Sequence, residues 1–229
     1  MVMKDEFHQE LGQIVAQLKE HLKYQKELGI KSLLSYHDAK VLLTLDEIRQ
    51  EIGDCKRCRL HAGRNHLVFG EGNPHAVLVF VGEAPGKDED VQGRPFVGRA
   101  GELLTRIIEA TDLTREEVYI TNIVKCRPTH NRDPKPDEIN TCLPFLLKQL
   151  QTIRPRIICA LGTFAAQTLL GTESKISLLR GRFHDYGGAK LMPTYHPAFL
   201  LRSPQFKRDV WEDMKMIKKE YERWQDHLK

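Results

Sequence analysis

Apolar and polar positions obey two different rules along this chain. Over residues 6–26, Phe7, Leu11, Ile14, Val15, Leu18 and Leu22 recur at helical spacing, which predicts one amphipathic helix. The stretch "GIKSLLSYHDAK" breaks that rhythm. A second helix is predicted over about 42–52, with Leu42, Leu45, Ile48 and Ile52 on one face. Residues 1–45 read as a helical extension that supports or covers a main domain over 46–229, with a coiled-coil partner helix the less favoured alternative because the pattern is short.

From residue 76 the rule changes. "AVLVFVG", "EVYITNIV", "RIICALG" and "KLMPT" are continuous apolar runs, the pattern of strands buried on both faces. Between them lie segments of helical periodicity: "RAGELLTRIIEAT", "KPDEINTCLPFLLKQLQTI", "TFAAQTLLG" and a terminal "SPQFKRDVWEDMKMIKKEYERW". Pro136 with acidic neighbours suits a helix start. Pro144 inside the same segment marks a kink or a later start, and Gly171 suits a helix end. Alternating strands and helices predict an α/β fold: a three-layer α/β/α sandwich around a mainly parallel, four-stranded sheet, with the N-terminal helices appended. Ligands bind such sheets beyond the carboxyl ends of the strands. There the chain places "GEAPG", "TNIVKCRP", "LGTF" and "YHPAFLLR".

Composition narrows the class. With 229 residues, 41% hydrophobic and 29% charged, the chain has enough apolar material for a core and is not a disordered segment. A net charge of +4 permits nucleic-acid binding without demanding it. The longest apolar runs fall short of the roughly 18 residues of a transmembrane helix, and "MVMKDEFHQEL" carries acidic residues where an export signal has an apolar core. The expected location is the cytoplasm.

Five cysteines, an odd number without an export signal, argue against a disulfide framework. Cys55 and Cys58 form a C-x2-C pair. Cys126 ends the second strand, Cys142 lies in the next helix, and together they flank the basic, Pro-rich "RPTHNRDPKP". Four thiolates so arranged can hold tetrahedral zinc or a [4Fe–4S] cluster. Spacing does not choose between them, although zinc ribbons repeat the C-x2-C knuckle and this chain does not. Cys159, inside a strand, reads as core.

The Gly-rich segment "VGEAPGKDEDVQGRPFVGRAG" matches neither the P-loop nor the dinucleotide fingerprint. Glu83 is either a solvated loop carboxylate or a catalytic one. Phe96 either packs in the core or stacks on a flat ligand such as a base. Asn122 either caps the strand or pairs with a pyrimidine edge. His196, directly before Pro197, is either a turn imidazole or a donor to a developing anion.

Taken in register, "CKRC", "FGEGNP", "GEAPGKDEDVQGRPFVGRAG", "YITNIVKCRPTHNRDP", "RPRIICALGTFAAQTLLG", "LRGRFHDY" and "PTYHPAFLLR" resemble the family-4 uracil-DNA glycosylases over roughly residues 46–220. The resemblance implies a monofunctional hydrolase that removes uracil from single- or double-stranded DNA and leaves an abasic site. It implies a [4Fe–4S] cluster on Cys55, Cys58, Cys126 and Cys142. It places Glu83 beside the water and the sugar, with Gly82, Ala84, Pro85 and Gly86 of the same motif against the substrate. Phe96 becomes the stacking aromatic, Asn122 the reader of the uracil edge and His196 the contact to uracil O2. Better-known branches carry a water-activating Asp or Asn in the first motif, and this chain has Glu-Ala-Pro there, so the role of Glu83 stays open. The covalent branch has a basic insertion after Asn122 that this chain lacks. A catalytically inactive or covalent uracil-capturing protein is the alternative. Arg180, Arg182 and Arg202, with Lys125 and Arg127, are candidates for phosphate contact. Leu200 or Leu201 either fills the gap left by a flipped base or packs in the core, with Leu200 the first choice. A monomer without membrane attachment is expected.

Overall fold

The computed structural model describes residues 43–226, together with Lys19. The helix expected over 6–26, and nearly all of the extension, lie outside the described residues. Helix α1, Leu45–Ile52, opens on a reciprocal cap. Thr44 Oγ1 accepts the Glu47 N–H at 3.2 Å and Glu47 Oε2 accepts the Thr44 N–H at 2.6 Å. The same helix buries Ile48 and Ile52 against Phe69 and Phe145.

The four apolar runs form the four parallel strands expected: β2 Leu78–Gly82, β3 Tyr119–Asn122, β4 Ile157–Leu161 and β6 Ala189–Thr194. Two short strands add to them. Strand β1, Glu71–Gly72, pairs antiparallel with β3, and β5, His184–Tyr186, pairs antiparallel with β6. The sheet order is β1-β3-β2-β4-β6-β5, so it is mixed and six-stranded around a parallel centre.

Side chains alternate across the sheet. Val79, Val81, Ile158, Ala160 and Leu191 face a layer made by α4 (Pro136–Ile153) and α5 (Thr163–Leu170). Leu78, Phe80, Ile157, Cys159 and Met192 face the opposite layer, made by α3 (Arg99–Glu109) and α8 (Lys207–Asp226). Cys159 is core, as read from its strand. Helix α4 begins at Pro136 and runs through Pro144 as one element. Glu138 Oε2 secures its start by accepting the Lys135 N–H at 2.8 Å. Among the described residues no helix is long and apolar enough to cross a membrane.

Three short helices were not foreseen: α2 Lys87–Gln92, α6 Ile176–Leu179 and α7 Pro197–Arg202. Two of them shape the site. Helix α2 concentrates Asp88, Glu89 and Asp90 in its first turn, where carboxylates complement the free N–H groups. Helix α7 starts at Pro197, with His196 as its cap.

Candidate active site

The carboxyl ends of the parallel strands surround a cavity of about 680 Å³. Gly82 and Asn122 stand in register at the ends of β2 and β3. Gly162 follows β4, and His196 follows β6. Glu83, Phe96, Asn122, His196 and Arg202 all line the cavity, so the four candidates for chemistry converge.

Gly82 is required by contact. A Cβ there would stand 2.4 Å from Asn122 Oδ1 and 2.6 Å from Phe96 Cζ, so a side chain would push the amide and the ring out of place. Phe96 itself has φ 52°, the left-handed region, where a bulky residue is strained. Three groups hold it. Gly101, inside α3, leaves room for it: a Cβ would fall 2.0 Å from the Phe96 carbonyl carbon and oxygen. Arg115 Nη1 donates to Phe96 O at 3.0 Å and Nη2 to Pro95 O at 2.8 Å. Glu89 accepts the Val97 and Gly98 N–H groups at 2.9 Å each on one oxygen and the Gly86 N–H at 3.1 Å on the other. Glu89 therefore ties the "GEAPG" turn to the Phe96 turn. Sequence reasoning missed both Glu89 and Arg115. The signal for Glu89 was a carboxylate three residues after a glycine at a helix start.

The Asn122 side chain is 1% exposed, yet its Oδ1 is buried without a hydrogen-bond partner among the described residues. Buried acceptors are nearly always paired, so this one is shaped for a donor from outside. His196 packs its ring 5.6 Å from that of Phe96, at 33°. Its Nδ1 accepts the Ala198 N–H at 3.1 Å. An acceptor Nδ1 puts the proton of a neutral imidazole on Nε2. Burial, and then the Arg202 charge, pull the imidazole down to about 4. The ring is therefore a neutral Nε2–H donor at physiological pH. Burial, followed by the nearby Asp133 charge, pushes the Glu83 carboxyl up to about 7.

The basic and apolar candidates divide. Arg202 and Leu201 line the cavity, with Leu201 36% exposed. Leu200 is 1% exposed and packs among Leu103, Val210 and Met214, because successive positions of a helix point about 100° apart and Leu201 is turned toward the cavity instead. Leu200, the first choice for a gap-filling residue, is therefore a core residue, and of the two leucines it is Leu201 that lines the cavity. Arg182 is exposed but outside the cavity. Arg180 turns inward. It donates to Asp213 Oδ2 at 3.0 Å and Oδ1 at 2.8 Å, while Thr194 Oγ1 donates to Asp213 Oδ2 at 2.6 Å. It buttresses the turn that carries His196 rather than reaching out to a phosphate. Lys125 is 0% exposed and no surface contact at all. Arg127 Nε donates to Asn131 Oδ1 at 2.7 Å. Lys87 and Arg99, not singled out from the sequence, are exposed on the cavity rim.

Cys55 and Cys58 lie on the turn after α1, Cys126 just beyond β3 and Cys142 within α4. Electrostatic coupling runs from Cys126 to Cys58 and Cys55, and from Cys142 to Cys126 and Cys58. Donors aim at the sulfurs: Arg64 Nη1 at Cys126 Sγ, 3.0 Å, the Lys125 N–H at Cys142 Sγ, 3.2 Å, and Arg57 Nη1 at Cys55 Sγ, 3.3 Å. Among the described residues no group of three such side chains is arranged to hold a single metal ion, which would draw thiolates to about 3.8 Å from one another given Zn–S bonds of about 2.3 Å. N–H donors thus reach three of the four sulfurs, an environment that suits bound thiolates, and four soft thiols from three elements are a donor set that fits an iron–sulfur centre.

A sequence profile of the Uracil DNA glycosylase superfamily matches residues 69–215, and the chain belongs to that superfamily. Among its relatives is the type-4 uracil-DNA glycosylase of Archaeoglobus fulgidus, 46% identical over 182 residues, or 76% of this chain and 92% of that protein. The type-4 enzyme of Saccharolobus solfataricus is 45% identical over 183 residues, covering 76% and 85%. That of Thermotoga maritima is 45% identical over 178 residues, covering 76% and 93%.

Proposed function

We propose that this chain is a type-4 uracil-DNA glycosylase, which takes uracil out of the DNA stack and hydrolyses its N-glycosidic bond, leaving an abasic site. The observation that carries the reading is the buried, unpartnered Asn122 Oδ1 beside Phe96 and the His196 ring. Uracil N3–H satisfies that oxygen while the amide Nδ2 donates to O4. Cytosine presents an acceptor at N3 and a donor at C4, so both pairings reverse, and a site that leaves buried polar groups unpaired rejects its ligand strongly. Phe96 supplies a stacking face worth about 1–3 kcal/mol per base, which offsets part of the cost of unstacking.

Bond cleavage builds negative charge on the departing base and positive charge on the sugar. His196 donates Nε2–H to O2 of the leaving uracil, a contribution of about 3 kcal/mol by comparison with other anion-stabilising donors. The neutral ring does this without yielding its proton. Glu83, ionised above its raised pKa, faces the cationic sugar and orients the attacking water; a base tuned close to working pH suits that task. Arg202 and Arg182, with Lys87 and Arg99, contact phosphates, and Leu201 enters the space that the base vacates.

Cys55, Cys58, Cys126 and Cys142 would hold a [4Fe–4S] cluster. Through these residues a bound cluster would tie the turn after α1, the end of β3 and α4 together. The hydrolysis itself needs no electron transfer.

The test is incubation of the purified monomeric protein with single-stranded, U:A and U:G DNA. Free uracil and an alkali-labile, unnicked product are expected. Intact DNA, or a protein–DNA adduct on a denaturing gel, would refute the hydrolase reading.

A further inference from the structure

Lys125 has every polar atom engaged inside the protein. Its ammonium donates to Thr121 Oγ1 at 2.6 Å, to Gln149 Oε1 at 2.6 Å and to the Asn122 carbonyl at 2.8 Å. Its backbone N–H donates to Cys142 Sγ at 3.2 Å, and its carbonyl accepts the Val68 N–H at 2.8 Å. The three acceptors around the ammonium are neutral oxygens. A cation buried among neutral acceptors is a poor way to gain stability, and an apolar residue would pack there at lower cost. Such a group is better understood by what it holds in place.

What it holds is the segment joining the base reader to the thiols. Past Asn122 the chain stays against the "GEAPG" turn, with the Ile123 N–H on Gly82 O at 2.9 Å and the Val124 N–H on Glu83 O at 3.0 Å. Lys125 follows and Cys126 comes next. The Lys125 side chain folds back to grip Asn122, while its backbone grips Cys142 on a different element. Gln149, the third anchor, sits on α4 two turns beyond Cys142 and also donates to Phe69 O at 3.0 Å. One residue thus bonds both the strand end that carries Asn122 and the helix that carries a thiol. Networks of this kind pass displacement between sites when each end has two arrangements.

We propose that Lys125 is a positioning residue that couples the four-thiol centre to uracil recognition, so that filling of the centre and binding of uracil strengthen each other. The proposal rests on the glycosylase reading. Reciprocity is a thermodynamic requirement: if the filled centre tightens uracil binding, bound uracil must raise the affinity for the centre by the same factor, and slower loss of the centre is the kinetic sign looked for.

The experiment uses the purified, brown holoprotein, free uracil as the probe, and two variants, Lys125→Met and Thr121→Val. Bleaching of the visible absorption by ferricyanide and a chelator is timed with and without saturating uracil. Uracil inhibition, KM and kcat are measured on samples matched for iron and sulfide. In the wild type, uracil should slow bleaching several-fold. In Lys125→Met the protection should vanish, with KM and the uracil inhibition constant raised about tenfold and kcat changed less, within the usual range of coupling between sites. Thr121→Val, which removes one anchor of the ammonium, should shift both in the same direction by less. A merely structural lysine would lower melting temperature and leave uracil protection intact in the protein that remains folded. The inference is overturned if uracil does not protect a wild type that excises it, or if Lys125→Met keeps wild-type inhibition. Should Lys125→Met fail to fold, wild-type behaviour of Thr121→Val in both measurements overturns it. A wild type that neither excises nor binds uracil refutes the glycosylase reading instead.

Discussion

Replacing Glu83 by glutamine separates what the carboxyl does for stability from what it does for catalysis. Its pKa rises from 4.5 to about 7 on folding, through burial first and Asp133 second. Between those values the folded protein holds a proton that the unfolded chain has released. Stability therefore falls as pH rises through this window. At about 1.4 kcal/mol per pKa unit the loss is about 3.5 kcal/mol, and partial solvent access reduces it to about 2 kcal/mol. Glutamine carries no such penalty. Glu83→Gln should match the wild type near pH 5 and exceed it by about 2 kcal/mol near pH 8, a melting difference of about 4–8 °C for a chain of this size. His196 adds an opposite slope, because its depressed pKa of about 4 makes the folded state bind fewer protons than the unfolded one. Both proteins keep His196, so their difference cancels it. Urea unfolding at several pH values is the assay. Excision should move the other way, rising with pH through about 7 in the wild type and remaining low in Glu83→Gln. A stability gap that stays constant across pH would refute the buried-carboxyl argument, and a Glu83→Gln enzyme with a wild-type rate would refute the catalytic role.

Asn122→Leu should keep the fold and lower kcat/KM on uracil DNA by about 10²–10³, because the edge pairing is lost; steady-state excision kinetics check this. Leu200→Ala should cost about 2–5 kcal/mol of stability as a core truncation, whereas Leu201→Ala should melt like the wild type and raise KM on duplex more than on single-stranded substrate, seen by comparing melting curves with kinetics on the two DNA forms. Glu89→Ala leaves the Gly86, Val97 and Gly98 N–H groups without their shared acceptor, and should cost about 2–3 kcal/mol while weakening uracil inhibition, measured by denaturant titration and by product inhibition.

The strands were legible because burial on both faces leaves an unbroken apolar run, and "LVFVG" and "IICAL" are such runs. Strand β1 was not, since Glu71–Gly72 has two residues and no apolar signal. Helix α2 hid in a segment whose glycines and charges read as loop, although its acidic first turn was a helix-start signature. With α7 unforeseen, nothing in "FLLR" could say which leucine faced the core. Charge misled at Lys125 and Arg180. Both were placed at the surface by residue type, and their interior partners, Gln149 and Asp213, are distant in sequence and met only through the fold. That Glu83, Asn122 and His196 would line one cavity was legible because the ends of parallel strands gather the side chains found there, whereas Phe96 reaches it from the turn before α3. The tautomer of His196 and the open acceptor on Asn122 depended on neighbours that spacing does not reveal.

The two antiparallel strands at the margins of the sheet bear on solubility during folding. A parallel sheet built from runs such as "IICAL" would expose, at either margin, backbone donors and acceptors beside strongly apolar side chains, a template for pairing with another chain. Here the outermost strands are only two and three residues long, and both are largely polar, as Glu71–Gly72 and His184–Tyr186. A neighbouring molecule that docked at either margin would find few ladder bonds and little apolar surface. The apolar strands are kept inside the sheet, and the chain can retain them without offering a seed for aggregation.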